Sequence, residues 1–100
     1  MKTPGQKLFE ARDALGLNQS EFGEILGITS VTLRSYERGD PRLNQHQRWT
    51  LEGVGINPAY ILCDDPKIDM LMPKVTIVQA RESVRQVLTE IRAKKEEVSA

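Results

Sequence analysis

The amino-acid sequence predicts an all-α fold, on three observations. Apolar residues recur at helical spacing through most of the chain, as in Leu8, Ala11 and Leu15 or Phe22, Ile25 and Leu26. Small polar residues suited to capping helix N-termini precede these runs, at Thr3, Asn18, Thr29 and Asn57. Glycine or proline closes the runs, at Gly16, Gly27, Gly39-Asp40-Pro41 and Gly55. A chain of 100 residues that is 39% hydrophobic but only 5% aromatic has the size of one small domain with an added arm, built on a modest helical core.

In Thr3-Pro4-Gly5-Gln6, Thr3 caps a helix, Pro4 takes its first position and Gln6 reaches back to the cap. Leu8, Phe9, Ala11, Arg12 and Leu15 follow at helical spacing until Gly16 stops the helix in a left-handed turn. Asn18 and Glu21 form a second capping pair ahead of Phe22, Ile25 and Leu26, and Gly27 ends that helix after about two turns. Thr29 caps a third helix carrying Val31, Leu33 and Tyr36. Asn44 to Val54, with Trp49 and Leu51, reads as a fourth, and Asn57-Pro58 starts a brief fifth whose Tyr60, Ile61 and Leu62 return to the core. Asp64-Asp65-Pro66 breaks the pattern and sets a boundary. The expected organisation is a head over 1–63, a linker over 64–75 and a helix over 76–98. The "KVTIV" segment, from Lys74 to Val78, has the β-branched richness of a short strand. On the last helix Ile77, Val84, Ile91 and Val98 recur every seventh residue, with Ala80, Val87 and Lys94 three places after the first three.

Lysine and arginine number 14, as do aspartate and glutamate, so total charge points to neither nucleic acid nor a membrane surface. Apolar runs fall far short of the roughly 20 residues that span a bilayer, and no apolar stretch follows Lys2 as in a secretory signal. These features read as a cytoplasmic protein. A lone cysteine, Cys63, and a lone histidine, His46, offer neither a disulfide nor a zinc-ligand set. There is no glycine-rich phosphate loop and no set of nucleophile, base and orienting group around His46, so no catalytic residue, metal or cofactor is expected. Cys63 reads as a small core residue, His46 as a surface residue, and Trp49 and Tyr60 as packing anchors.

Positive charge is concentrated locally. Between Ser30 and Thr50 stand Arg34, Arg38, Arg42 and Arg48 against only Glu37 and Asp40. The three residues Gly27-Ile28-Thr29 are too few to fold the second and third helices back antiparallel, so the two must cross steeply. Close crossing needs a small side chain at the contact, which Gly23 supplies, with Phe22, Leu26, Ile28 and Leu33 filling the wedge. Burying Leu33 and Tyr36 turns Ser30, Val31, Arg34, Ser35 and Arg38 towards solvent or a partner.

The stretch "LNQSEFGEILGITSVTLRSYERG", Leu17 to Gly39, resembles the helix-turn-helix of the Cro and phage-repressor family, also called the xenobiotic response element family. Gln19, Gly23, Gly27, Ile28, Leu33 and the closing "YERG" fall where that family places them. With "LFEARDALGL" before it and "LEGVGINPAYIL" after it, the first 63 residues resemble a compact five-helix lambda-repressor-like domain, whereas the last 37 do not match. The resemblance implies that the third helix enters the major groove of double-stranded DNA. Ser30, Val31, Arg34 and Ser35 would then meet base edges, because arginine can bind guanine O6 and N7 together, serine can donate or accept, and valine can pack on a thymine methyl. Gln19, Thr32 with the amides that begin the third helix, Arg38, Arg42 and Asn44 would hold phosphates. Arg12 and Glu37 take positions where the family forms a partly buried ion pair. The plainer alternative for Arg34 and Glu37 is a surface pair one helical turn apart.

One head covers few base pairs, so such proteins typically bind as two-fold dimers on near-palindromic sites. Ile77, Val84, Val87, Leu88 and Ile91 are the candidate dimerisation residues. The same stripe would also suit docking of the arm on its own head, contact with a different protein, or intersubunit pairing through "KVTIV". The function expected is a sequence-specific transcriptional regulator, a repressor of bacterial or phage type. Its main alternative is an antitoxin whose arm binds a partner protein, and the head also suits the controller of a restriction system.

Overall fold

A computed structural model describes residues 2–99, with side chains through Glu96. Six α-helices make up the fold among these residues: α1 Pro4–Ala14, α2 Gln19–Leu26, α3 Ser30–Arg38, α4 Gln45–Gly53, α5 Pro58–Leu62 and α6 Ile77–Ser99. The all-α expectation holds, with a five-helix head followed by a long C-terminal helix. Local capping chemistry sets most helix starts. The Thr3 hydroxyl accepts from the Gln6 amide while the Gln6 side chain accepts from the Thr3 amide, and Asn18 with Glu21 and Asn44 with Gln47 repeat that reciprocal arrangement. Gly16 and Gly27 end α1 and α2 with φ of 72° and 74°, a conformation that an L side chain strains.

The core joins every helix. Leu8, Phe22, Leu33, Leu51, Ile61 and Val84 are each at most 1% exposed and belong to one apolar cluster. Two glycines permit close approaches of backbone to helix. A Cβ on Gly5 would stand 2.5 Å from the Glu37 carbonyl oxygen, so only glycine lets the first turn of α1 abut the end of α3. Gly23 performs the same service for the elbow, where a Cβ would lie 2.7 Å from the carbonyl oxygen of Ile28. Gln47 is a buried polar residue whose cost is offset by donation from its amide nitrogen to the Leu26 carbonyl, 3.3 Å away, at the otherwise open C-terminus of α2. The outer edge of α1 is tied to α5 by Glu10, which takes Lys2 at 2.7 Å and the Tyr60 hydroxyl at 2.8 Å. Hydrogen bonding to Lys2 holds the Glu10 carboxyl below its ordinary pKa, while burial raises that of the Tyr60 phenol.

Several sequence expectations need correction. "KVTIV" is no strand: Lys74 sits in a turn with φ of 66°, and Thr76 and Gln79 form a capping pair that draws Ile77 and Val78 into α6. The extended contact lies elsewhere in the linker, as a single antiparallel bridge between Ile56 and Leu71 flanked by Asn57–Met70 and Met72–Gly55 backbone bonds. This strap brings the chain back across the head. Trp49 is 61% exposed, because Gln47, Leu51 and Val54 set the inward phase of this region and Trp49 points to the opposite side. Cys63 is also exposed, lying past the last turn of α5, and Phe9 is 46% exposed on α1. Tyr36, expected in the core, is half-buried against it.

The C-terminal helix lies along its own head. Ala80, Val84 and Leu88, four residues apart, are buried in the shared core against α2. Arg81 donates to the Ala14 carbonyl at 2.9 Å, and Arg92 faces Glu24 of α2 at 3.4 Å. Of the candidate dimerisation residues, Val84 and Leu88 are therefore buried within the chain, whereas Ile77, Val87 and Ile91 are half-buried. Val98 falls outside the residues whose side chains are described. Leu88→Ala is expected to destabilise the whole domain by about 2–4 kcal/mol in denaturant unfolding, as a core truncation does. An unchanged midpoint would mean that α6 contributes nothing to the head.

Candidate nucleic-acid interface

The elbow sets the geometry of the candidate interface. After Gly27 turns the chain, the Ile28 amide donates to the Gly23 carbonyl at 2.9 Å, and Thr29 caps α3 by accepting from the Thr32 amide at 3.1 Å. Leu33 is wholly buried and Tyr36 half-buried, its hydroxyl 3.5 Å from the Arg42 carbonyl that it can donate to. That anchoring turns the other side of α3 outward. Val31 is 72% exposed, Arg34, Ser35 and Arg38 are exposed, and Ser30 is half-buried at the leading turn. An apolar residue so exposed, between hydroxyl and guanidinium groups, gives this face one apolar contact point among several donors.

Three arginines meet no acid. Arg34, Arg38 and Arg42 are exposed, and none of their guanidinium groups has a hydrogen-bond or ion-pair partner among the described residues. Arg34 and Glu37, one turn apart, do not pair. Glu37 turns inward instead and accepts from Arg12 Nε at 2.7 Å and Nη2 at 3.3 Å, with side chains only 13% and 7% exposed for Arg12 and Glu37. The Arg12 Nη1 group donates to the Leu17 carbonyl at 2.9 Å, which fixes the guanidinium on a third side. Arg12 and Glu37 thus form a largely buried ion pair that ties α1 to α3.

Glu37 has a further partner that local sequence patterns could not reveal. The Gln19 side-chain nitrogen donates to its Oε1 at 3.1 Å, so the residue opening α2 is oriented by the same carboxylate that ties α1 to α3. Separation of 18 positions hides such a contact from any local pattern. One amide proton and the carbonyl oxygen of Gln19 stay available towards solvent. Thr32 is half-buried with its hydroxyl accepting from Thr29 at 3.0 Å, and Asn44 uses its side-chain oxygen to cap α4, leaving its amide nitrogen for an outside acceptor. Arg48 is occupied nearby, donating to Gln45 at 2.9 Å and to the Leu43 carbonyl at 3.5 Å.

Gln19, Ser30, Val31, Arg34, Ser35 and Arg38 thus lie along the joined α2 and α3, with Arg42 and Asn44 on the loop that follows. On α3 itself the donors stand without a free acid, since Glu37 is engaged beneath them, and the exposed Asp40 follows on the loop between Arg38 and Arg42. Among the described residues no group of three or more His, Cys, Asp or Glu is placed to hold a metal ion. No described helix is long and apolar enough to cross a membrane.

The helix-turn-helix family model matches residues 8–47, from the middle of α1 to the first turn of α4. Neither a curated protein nor a solved structure matches the chain.

The Arg12–Glu37 contact is the most heavily used polar link beneath the interface. Glu37→Ala would leave the Arg12 guanidinium part-buried without its carboxylate and is expected to cost about 3–5 kcal/mol in denaturant unfolding. A loss below about 1 kcal/mol would place the pair with exposed ones.

Proposed function

We propose, from the premise that residues 8–47 form a helix-turn-helix domain of the Cro and phage-repressor type, that this DNA-binding regulator is a repressor that reads a near-palindromic operator as a dimer. The supporting observation is the α3 face itself: Val31, Arg34, Ser35 and Arg38 are all exposed, while Leu33 fixes the helix to the core. An α-helix about 10–12 Å across its side chains fits a major groove of about 12 Å.

Within this reading the roles divide by chemistry. Arg34 donates two hydrogen bonds to a guanine O6 and N7, Ser30 and Ser35 bond adjacent base edges, and Val31 packs on a thymine methyl. Gln19 holds a phosphate with the amide proton that Glu37 leaves free, joined by the α3 N-terminal amides near Thr32 and by Arg38, Arg42 and the Asn44 amide. Phosphate contacts set the register, and base contacts supply selectivity. Two heads follow from the few base pairs that one α3 can reach, with half-site centres about 34 Å apart on one side of the duplex. Occupation of an operator overlapping a promoter would exclude polymerase, which is the basis for assigning repression.

Two measurements bear on these assignments. Selection of duplexes from a random pool should return a near-palindrome, and Arg34→Ala should lose about 1–3 kcal/mol of discrimination at one base pair per half-site without a change in unfolding midpoint. Equal weakening on every sequence would move Arg34 to the phosphate-binding group. Affinity should fall steeply as salt rises, with log K linear in log salt, because phosphate neutralisation releases counterions. A flat dependence would contradict a phosphate-gripping interface.

A further inference from the structure

Phe9 does not fit a purely structural explanation of α1. It is 46% exposed, although the helix buries Leu8 and Ala11 beside it and has a polar outer side for residues of this kind. The ring lies in an open cleft of about 310 Å³ lined also by Gln6, Gln19, Arg34, Glu37 and Arg38. One wall is therefore α1, and the other is the exposed flank of α3. Arg12 lies beneath the ring, its guanidinium carbon 5.0 Å from the ring centroid, and so holds the aromatic plane in place while committed to Glu37. Glu37 is the acid on the cleft wall, and its charge is taken by Arg12.

The cleft thus combines an apolar plate, two guanidinium groups without acidic partners and an amide oriented by Glu37. A DNA strand alternates units of matching chemistry, an anionic phosphate and the apolar edge of a deoxyribose. The position also matches. If α3 fills the major groove, the strand bordering that groove passes along the flank where the cleft opens. We infer that the cleft between α1 and α3 seats one backbone unit of the bound strand, with Phe9 packed on the deoxyribose and Gln19 and Arg38 holding the phosphates on either side of it. This rests on the DNA-binding reading and extends the footprint to α1. It makes Phe9 a direct contributor to affinity that does not depend on base sequence, and it makes Glu37 a positioning residue for Gln19.

The full chain labelled with 4-fluorophenylalanine provides the test, because its two phenylalanines differ in setting: Phe9 is exposed and Phe22 is fully buried. On titration with a short duplex of arbitrary sequence at low salt, the Phe9 fluorine resonance should shift while that of Phe22 stays. In parallel, Phe9→Ala should weaken arbitrary and selected duplexes by the same factor, about three- to tenfold, with the salt slope unchanged. Phe9→Leu should recover most of that loss, and Arg38→Ala should lower the salt slope by about one. If the parent chain binds duplex but the Phe9 resonance stays fixed, or if Phe9→Ala binds as tightly as the parent, the cleft assignment is overturned and the DNA reading survives. If the parent chain binds no duplex at any salt concentration, the DNA reading itself fails and the cleft assignment falls with it.

Discussion

The close approach at the elbow is the constraint on which the rest of the structure depends. Only because residue 23 lacks a side chain can the Ile28 carbonyl come within 2.7 Å of the place a Cβ would occupy, and only because residue 27 takes φ of 74° can α3 leave at once in a new direction. From that geometry follow the burial of Leu33, the half-burial of Tyr36 and the outward aim of Val31, Arg34, Ser35 and Arg38. A longer connection would let α3 fold back on α2 and bury part of the face that is now presented. The second fixed point lies at the far end of α3, where Gly5 and the Arg12–Glu37 pair draw α1 against it. With both ends held, α3 is fixed against the core at each end, the arrangement that the proposed groove-reading role needs.

Electrostatics act on the same frame. The chain has no net charge, yet Glu37, the acid of α3, is turned inward and neutralised by Arg12, so the outer face of α3 carries Arg34 and Arg38 with no acid of its own helix beside them. Glu37 thereby has two effects at once. It lowers the cost of placing Arg12 within the fold, and its remaining capacity orients the Gln19 amide at the start of α2. Stability and the proposed recognition are linked through one carboxylate.

The head was legible in the sequence because its signals are local. Capping pairs such as Thr3 with Gln6 and Asn18 with Glu21 act across three residues, and glycine marks the helix ends, so a single pass along the chain places α1, α2 and α3. The Asn44–Gln47 pair was equally local, yet the burial of Gln47 depends on a carbonyl of α2 that no nearby residue indicates. Hydrophobicity alone suggested an inward Trp49, whereas Leu51 and Val54 set the inward phase of that region and put Trp49 outside. The last helix was legible in extent but not in contacts. Its seven-residue stripe of Ile77, Val84 and Ile91 and its four-residue row of Ala80, Val84 and Leu88 share Val84, and the linker strap at Ile56 and Leu71 brings the second row onto α2. A spacing of seven and a spacing of four describe neighbouring stripes of one helix, so the pattern could not tell a partner chain from the protein's own head. Within the interface, residue types were readable from the resemblance of "LNQSEFGEILGITSVTLRSYERG" to known helix-turn-helix segments, while the Gln19–Glu37 bond and the Phe9 cleft needed three dimensions.

Groove selectivity tests the central claim most directly. On a duplex obtained by selection, single guanines methylated at N7 line the major groove, and single adenines methylated at N3 line the minor groove. If α3 reads the major groove through Arg34, a few N7 positions repeated with two-fold symmetry should block binding while the N3 modifications between them leave it intact. Interference confined to N3, or binding indifferent to every N7 position, would contradict the account.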